Sequence, residues 1–153
     1  MKTIKLTILI LSFVASVVAA EPLKEQKAKP IEMTKAMFLE KVMDYEKNPE
    51  TWKYLGNKPA IIDFYAVWCG PCRVTSPILA DLAAEYSDEI YVYKINIDKE
   101  RELAKAFGIQ SIPTFLFVPM DETPQISMGA LPKEAFKEAI DTFLVKKEQK
   151  KEQ

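Results

Sequence analysis

The chain has no histidine, two cysteines and four glycines among its 153 residues. Structural zinc is held by four Cys or His ligands, so two cysteines and no histidine do not supply such a site, and no metal is expected. With so few glycines and no Gly-rich run, there is no backbone cradle for a nucleotide phosphate. Neither sign of charge dominates: 21 Lys and Arg stand against 22 Asp and Glu, for a net charge of −1. That balance gives no electrostatic reason to expect nucleic acid or an anionic membrane as a partner. Internal repeats are also absent.

What is present is an apolar content of 48%, enough for one compact domain with a substantial core, and a monomer is expected. The first residues stand apart from that core. Lys2 and Lys5 precede an apolar run over residues 6–18, and the small residues Ala19 and Ala20 follow. This is the order of a secretory signal peptide over residues 1–20, with cleavage expected after Ala20 and a periplasmic or otherwise exported product. A membrane anchor, with the domain outside the cytoplasm, is the alternative. An apolar helix of that length reaches only ~20 Å, short of the ~30 Å hydrocarbon layer. No cysteine lies near the cleavage region, which excludes a lipid-modified export signal. Cleavage would remove two lysines and take the net charge from −1 to −3.

Residues 21–30 are rich in Lys and Glu, contain Pro22 and Pro30 and show no apolar period, as a flexible leader does. The domain is expected over residues 31–146 and a charged tail over 147–153. Within the domain, residues 31–33 suit a short edge strand. Thr34 suits an N-cap for a helix carrying Phe38, Val42 and Tyr45, which Asn48-Pro49 stops. Residues 50–56 suit an extra half-turn or short helix, with Trp52, Tyr54 and Leu55 first as packing residues and second as a docking surface. Residues 61–66 form an apolar strand suited to coverage on both faces. A helix then starts near Pro71, with Pro77 inside it as a kink. Residues 90–97 make a second strand, so strand, helix and strand predict a parallel crossover. A helix over residues 100–107 ended by Gly108, strands at 114–118 and 125–128, and a last amphipathic helix with Phe136, Ile140, Phe143 and Leu144 complete the order.

The two cysteines, Cys69 and Cys72, enclose Gly70 and Pro71 where the central strand gives way to the helix. As a staple they would do little: a loop of four residues restrains the unfolded chain by ~2 kcal/mol, against ~4.7 kcal/mol for a hundred-residue loop. Export implies an oxidising compartment, yet the only pair is too local to serve as a brace. It is better explained as a reactive dithiol. Cys69, at the mouth of a helix where free N–H groups favour an anion, is the expected nucleophile, and Cys72, one turn deeper, the resolving thiol. Asp63 lies within the apolar strand. If buried, its pKa rises and it can accept the proton of Cys72; the alternative is an exposed edge aspartate.

The run Ile62-Asp63-Phe64-Tyr65-Ala66-Val67-Trp68-Cys69-Gly70-Pro71-Cys72-Arg73, followed by Pro77, Ile112-Pro113-Thr114 and Gly129-Ala130-Leu131, resembles the thioredoxin family in order and spacing. Three features depart from that pattern: the export signal, the enlarged connection around Trp52, and Tyr65 where thioredoxins commonly have tryptophan. The resemblance implies an α/β thioredoxin fold, a central mixed sheet flanked by helices on both faces. It also implies dithiol–disulfide exchange without a cofactor. Lys94 becomes an electrostatic partner of Asp63, a solvated strand lysine being the alternative. In thioredoxins the peptide bond matching Ile112-Pro113 is cis and presents the preceding backbone to an extended substrate segment. Trp68, Gly70, Pro71, Gly129 and Ala130 would complete a shallow apolar docking surface for many protein substrates.

Gly70-Pro71 offers no histidine to stabilise a thiolate, and the resemblance is to the reducing branch, so the expected function is reduction of disulfides in exported proteins. A membrane thiol transporter would supply the electrons. A protein disulfide oxidase or isomerase is the alternative, and a redox-silent binding module is the alternative of another class. Lowering a thiol from ~8.5 to the family's ~7 raises its thiolate fraction at neutral pH roughly 16-fold while nucleophilicity falls about 5-fold, a net gain of about threefold. Most of the rate must come from positioning, leaving-group stabilisation and proton transfer.

Overall fold

A computed structural model describes residues 27–147. The expected signal peptide, residues 21–26 of the leader and residues 148–153 of the charged tail lie outside the described residues. In chain order the elements are β1 (Ile31–Glu32), α1 (Lys35–Lys41), β2 (Ala60–Tyr65), α2 (Gly70–Glu85), β3 (Tyr91–Asn96), α3 (Arg101–Ala106), β4 (Thr114–Val118), β5 (Gln125–Met128) and α4 (Lys133–Ala139). One π-helical turn, Ile140–Leu144, extends α4.

The strands form one mixed sheet in the order β1-β3-β2-β4-β5. β1, β3 and β2 run parallel, while β4 pairs antiparallel with β2 and β5 antiparallel with β4. Because side chains alternate across a strand, β2 feeds two cores at once. Ile62 and Phe64 pack with Phe38 of α1 and Leu103 of α3 on one face. Ile61 packs with Leu79 and Leu82 of α2 and Phe136 of α4 on the other. The expected sheet with helices on both faces is therefore present, with the strand that leads to the cysteines at its centre.

Local chemistry sets the element ends. The Thr34 hydroxyl accepts the Met37 N–H at the start of α1, as expected for an N-cap. That helix stops at Lys41, short of Tyr45. The Met43 N–H turns back to the Phe38 carbonyl, and the Asp44 carboxylate takes the Lys47 N–H into a separate turn. No helix forms over residues 50–56, contrary to expectation. The segment is an irregular connection tied by the Leu55 N–H to the Val42 carbonyl, and Trp52 and Tyr54 lie against the core while Leu55 is exposed. α2 runs as one element through Pro77. Gly108, with φ +62°, ends α3 in the left-handed region.

Removing the anchor of α1 tests this architecture. Phe38 is fully buried and stacks edge-on against Phe107 with centroids 4.9 Å apart. Phe38→Ala is expected to cost ~3–5 kcal/mol in urea unfolding, against ~1 kcal/mol for loss of the cap in Thr34→Ala. Equal losses would show that α1 is not held by this side chain.

Candidate functional site

β2 ends at Tyr65, and after four intervening residues the chain enters α2 at Gly70. Cys69 is the N-cap, in an extended conformation, and its sulfur accepts the Cys72 N–H at 3.2 Å. Pro71 occupies the first turn, where a helix needs no further donor. The two cysteines are joined as a disulfide with their Cα atoms 5.3 Å apart. Both are only 4% exposed, so depth alone does not distinguish them. Their surroundings do: Cys69 caps the helix, whereas Cys72 lines a cleft that reaches Asp63.

Asp63 is 1% exposed, which removes the edge-aspartate alternative. On β2 it stands opposite Lys94 of β3 and Phe115 of β4, and neither carboxylate oxygen has a hydrogen-bond partner in the protein. Burial pushes its pKa up to about 7, opposed by the Lys94 charge and assisted by Glu32. The cleft, of about 90 Å³, is lined by Asp63, Tyr65, Cys72, Arg73, Ser76 and Lys94. That is ample room for a water to carry a proton between Cys72 and Asp63.

Lys94 is not a solvated strand lysine, since its side chain is 16% exposed. Its ammonium lies 4.0 Å from the Tyr65 ring centroid, 3.5 Å from Ser76 Oγ and 4.0 Å from Glu32 Oε1. No direct hydrogen bond joins it to Asp63 among the described residues, so it acts on that carboxyl through space.

The remaining expected residues gather around the dithiol. Ile112 packs against the cysteine pair, and the Ile112-Pro113 bond is cis. The Pro113 carbonyl accepts the Gly129 N–H at 2.8 Å, which brings the residue 129–130 turn to the same place. Gly129 has φ +88°, a conformation that an L side chain would strain. Gly70 is half-buried, while Pro71 and Ala130 are exposed. Trp68 is 64% exposed, yet its indole N–H donates to Asp98 Oδ2 at 2.8 Å. Asp98, which sequence reasoning missed, is fixed in turn by its own N–H to Asn96 Oδ1. The signal was the parallel register: Tyr65 pairs with Asn96, so the loops leaving β2 and β3 run side by side. Among the described residues no group of three or more Cys, Asp or Glu is placed to hold a metal.

Comparison with known proteins agrees with this geometry. The family model described as Thioredoxin matches residues 30–142. The chain is 47% identical over 113 residues to a thioredoxin of Borreliella burgdorferi, spanning 74% of this chain and 96% of that protein. It is 39% identical over 100 residues to the chloroplastic M-type thioredoxin of Spinacia oleracea, covering 63% of this chain and 55% of that one. In fold it resembles the crystal structure of chloroplastic thioredoxin z, with a TM-score of 0.61 and 24% identity over 74% of this chain and 93% of that chain.

The buried carboxyl has a thermodynamic signature. Its pKa of about 7 in the fold exceeds the 3.8 of an unburied aspartate, so between these values the folded protein keeps a proton that the unfolded chain has released. Stability therefore falls as pH rises through that window, and the full penalty stands above it. Asp63→Asn is expected to stabilise the protein at pH 8 by on the order of 4 kcal/mol, with the gain vanishing below the unfolded pKa. A gain that does not vary with pH in urea titrations would remove burial of the charge as its cause.

Proposed function

The chain belongs to the thioredoxin family and carries the cysteine pair of a thioredoxin-type disulfide oxidoreductase, and from that premise we propose that it reduces disulfides in exported proteins. The observation that carries this reading is the placement of the pair: one sulfur caps α2, and the other shares a cleft with a buried, unpartnered carboxyl.

In the reduced protein the Cys69 thiolate attacks one sulfur of a substrate disulfide. A Cys69–substrate bond forms, the substrate S–S bond breaks, and the first substrate thiolate leaves and is protonated. Backbone N–H groups at the start of α2 favour the anion at Cys69. Asp63 then accepts the Cys72 proton, and the Cys72 thiolate attacks the Cys69 sulfur. The intramolecular disulfide forms, and the second substrate thiolate departs and takes up a proton, which Asp63 can return. Two electrons have moved to the substrate, which ends as two thiols. A membrane thiol transporter would return the pair to the dithiol by the same exchange, with no cofactor.

Docking is assigned to the surface around the pair. Trp68, steadied by Asp98, stands beside Gly70 and Pro71, with Ile112, Pro113, Gly129 and Ala130 across from them. The Ile112 backbone would pair with an extended substrate segment. Export rests on the residues 1–20 pattern, and the reducing direction rests on the lack of a thiolate donor between the cysteines.

Insulin reduction driven by dithiothreitol tests the chemistry: Cys69→Ser is expected to fall to the uncatalysed rate, and persistence of activity would sink the nucleophile assignment. Equilibration with glutathione tests direction, because a potential near the ~−120 mV of a strong disulfide oxidant would overturn the reductase reading. For the proton acceptor, Asp63→Asn is expected to lengthen the lifetime of the mixed disulfide at Cys69 by ~10²-fold or more, measured by quenched-flow trapping. An unchanged lifetime would take Asp63 out of the mechanism.

A further inference from the structure

Glu32, Lys94 and Asp63 form a row across three adjacent strands. In the parallel register Glu32 of β1 stands opposite Lys94 of β3, and Lys94 stands opposite Asp63 of β2. Directly opposed residues project from the same face of a sheet, and neighbouring strands are about 4.8 Å apart, so one ammonium lies between two carboxylates. The row is unequal at its ends. Glu32 is largely exposed, whereas Asp63 is buried. Tyr65, two residues along β2 from Asp63, reaches over β3 and donates its hydroxyl to Glu32 Oε1 at 2.8 Å. The same Tyr65 ring lies beneath the Lys94 ammonium, which is 4.0 Å from that Glu32 oxygen. Glu32 is thereby held where it competes for the only cation facing Asp63 from β3.

We propose that Glu32 is a positioning residue of the dithiol site: gripped by Tyr65, it draws the Lys94 ammonium toward the sheet edge and leaves the Asp63 carboxyl without a direct partner, so that Asp63 can take and return a proton. This rests on the proposed role of Asp63 in resolving the mixed disulfide. Were Lys94 paired to Asp63, the carboxylate would be stabilised as the anion and would be a weaker base. The sense of the electrostatics agrees, since Glu32 raises and Lys94 lowers the affinity of Asp63 for its proton. Of the charged groups around Asp63, Arg73 of α2 among them, Lys94 and Glu32 are the ones that shift its proton affinity. From α2 come Cys72, Arg73 and the uncharged Ser76, from β2 Tyr65, and from β4 the apolar Phe115.

The test observes Asp63 directly. In the oxidised protein, with aspartate carboxyl carbons labelled and the Asp63 signal identified by its loss in Asp63→Asn, NMR titration gives its midpoint. Glu32→Gln, which keeps shape and loses charge, is expected to lower that midpoint by roughly one pH unit, the low end of what an opposite charge at 4–6 Å does. Glu32→Asp, which keeps the charge, is expected to stay nearer the native midpoint. In a Lys94→Met background, Glu32→Gln is expected to move the midpoint less than it does in the native chain, because the route runs through Lys94. An unmoved midpoint in Glu32→Gln overturns the proposal, and strict additivity with Lys94→Met overturns the route. A second readout separates this inference from the function on which it rests. The acid limb of the resolution rate in Glu32→Gln should move down with the midpoint. A lowered midpoint with an unmoved limb upholds Glu32 as the residue that sets Asp63 and refutes Asp63 as the proton acceptor.

Discussion

Asp63 stands on β2 with β3 on one side, β4 on the other and α2 above, and its carboxyl shares a cleft with Cys72 and Lys94. A carboxylate in that position is unstable as an anion, because burial removes its hydration and no hydrogen bond replaces it. The fold keeps it nonetheless, and the surrounding parts follow from it. The central position of β2 requires apolar neighbours on both faces, which the two cores supply. The register with β3 sets a lysine across from the carboxyl. The turn from β2 into α2 puts Cys72 on the same cleft. Proton affinity and fold stability are thus two expressions of one burial.

In the proposed mechanism that burial also redistributes the work of exchange. Capping of α2 by Cys69 favours an anionic sulfur, but a lower thiol pKa carries a lower nucleophilicity, and the two effects largely cancel. The larger contributions belong to groups that act when the second thiol must ionise and when a substrate must lie still. In the proposed mechanism Asp63 would address the first, because a base with a pKa of about 7 can both take and release a proton near neutrality. The contacts linking Ile112, Pro113, Gly129 and the cysteine pair would address the second, as the proposed docking surface. Trp68 shows how an exposed apolar side chain is kept from wandering: its single polar atom is tied to Asp98, so its face can meet a partner with less entropy to lose.

Much of this was legible in the residues, and the exceptions have physical reasons. Apolar runs located β2, β3 and β4 within a residue, because these strands are largely buried and their pattern is dictated by both cores, while the exposed β5 is delimited by Pro124 and Gly129. The centre of the site was equally visible, since the cysteine pair, Asp63 and Pro113 are local or lie on strong elements. Where side-chain hydrogen bonds compete with the helix, periodicity misled: Phe38, Val42 and Tyr45 share a helical spacing, but the Asp44 turn intervenes after Val42. Trp52 and Tyr54 reach the core without any regular element to carry them. Lys94 illustrates a third kind of difficulty. Its opposition to Asp63 follows from register, but its grip by Tyr65, Ser76 and Glu32 is a product of three elements that no local pattern unites.

Tyr65 is the residue through which these threads meet. Its ring supports the Lys94 ammonium while its hydroxyl crosses β3 to Glu32. Burial together with the Glu32 contact pushes its pKa up to about 12, so the hydroxyl remains a donor throughout the range in which Asp63 titrates. The frame around the carboxyl therefore keeps its own protonation state while the carboxyl changes. A donor that lost its proton near neutrality would add a negative charge beside Lys94 as Asp63 ionised, and the two titrations would become coupled. A phenol avoids that coupling and still offers an aromatic face to the cation. The edge strand β1, only two residues long, thus contributes more than closure of the sheet: through Glu32 it gives Tyr65 a fixed acceptor, and through Tyr65 it fixes the field in which the central carboxyl exchanges its proton.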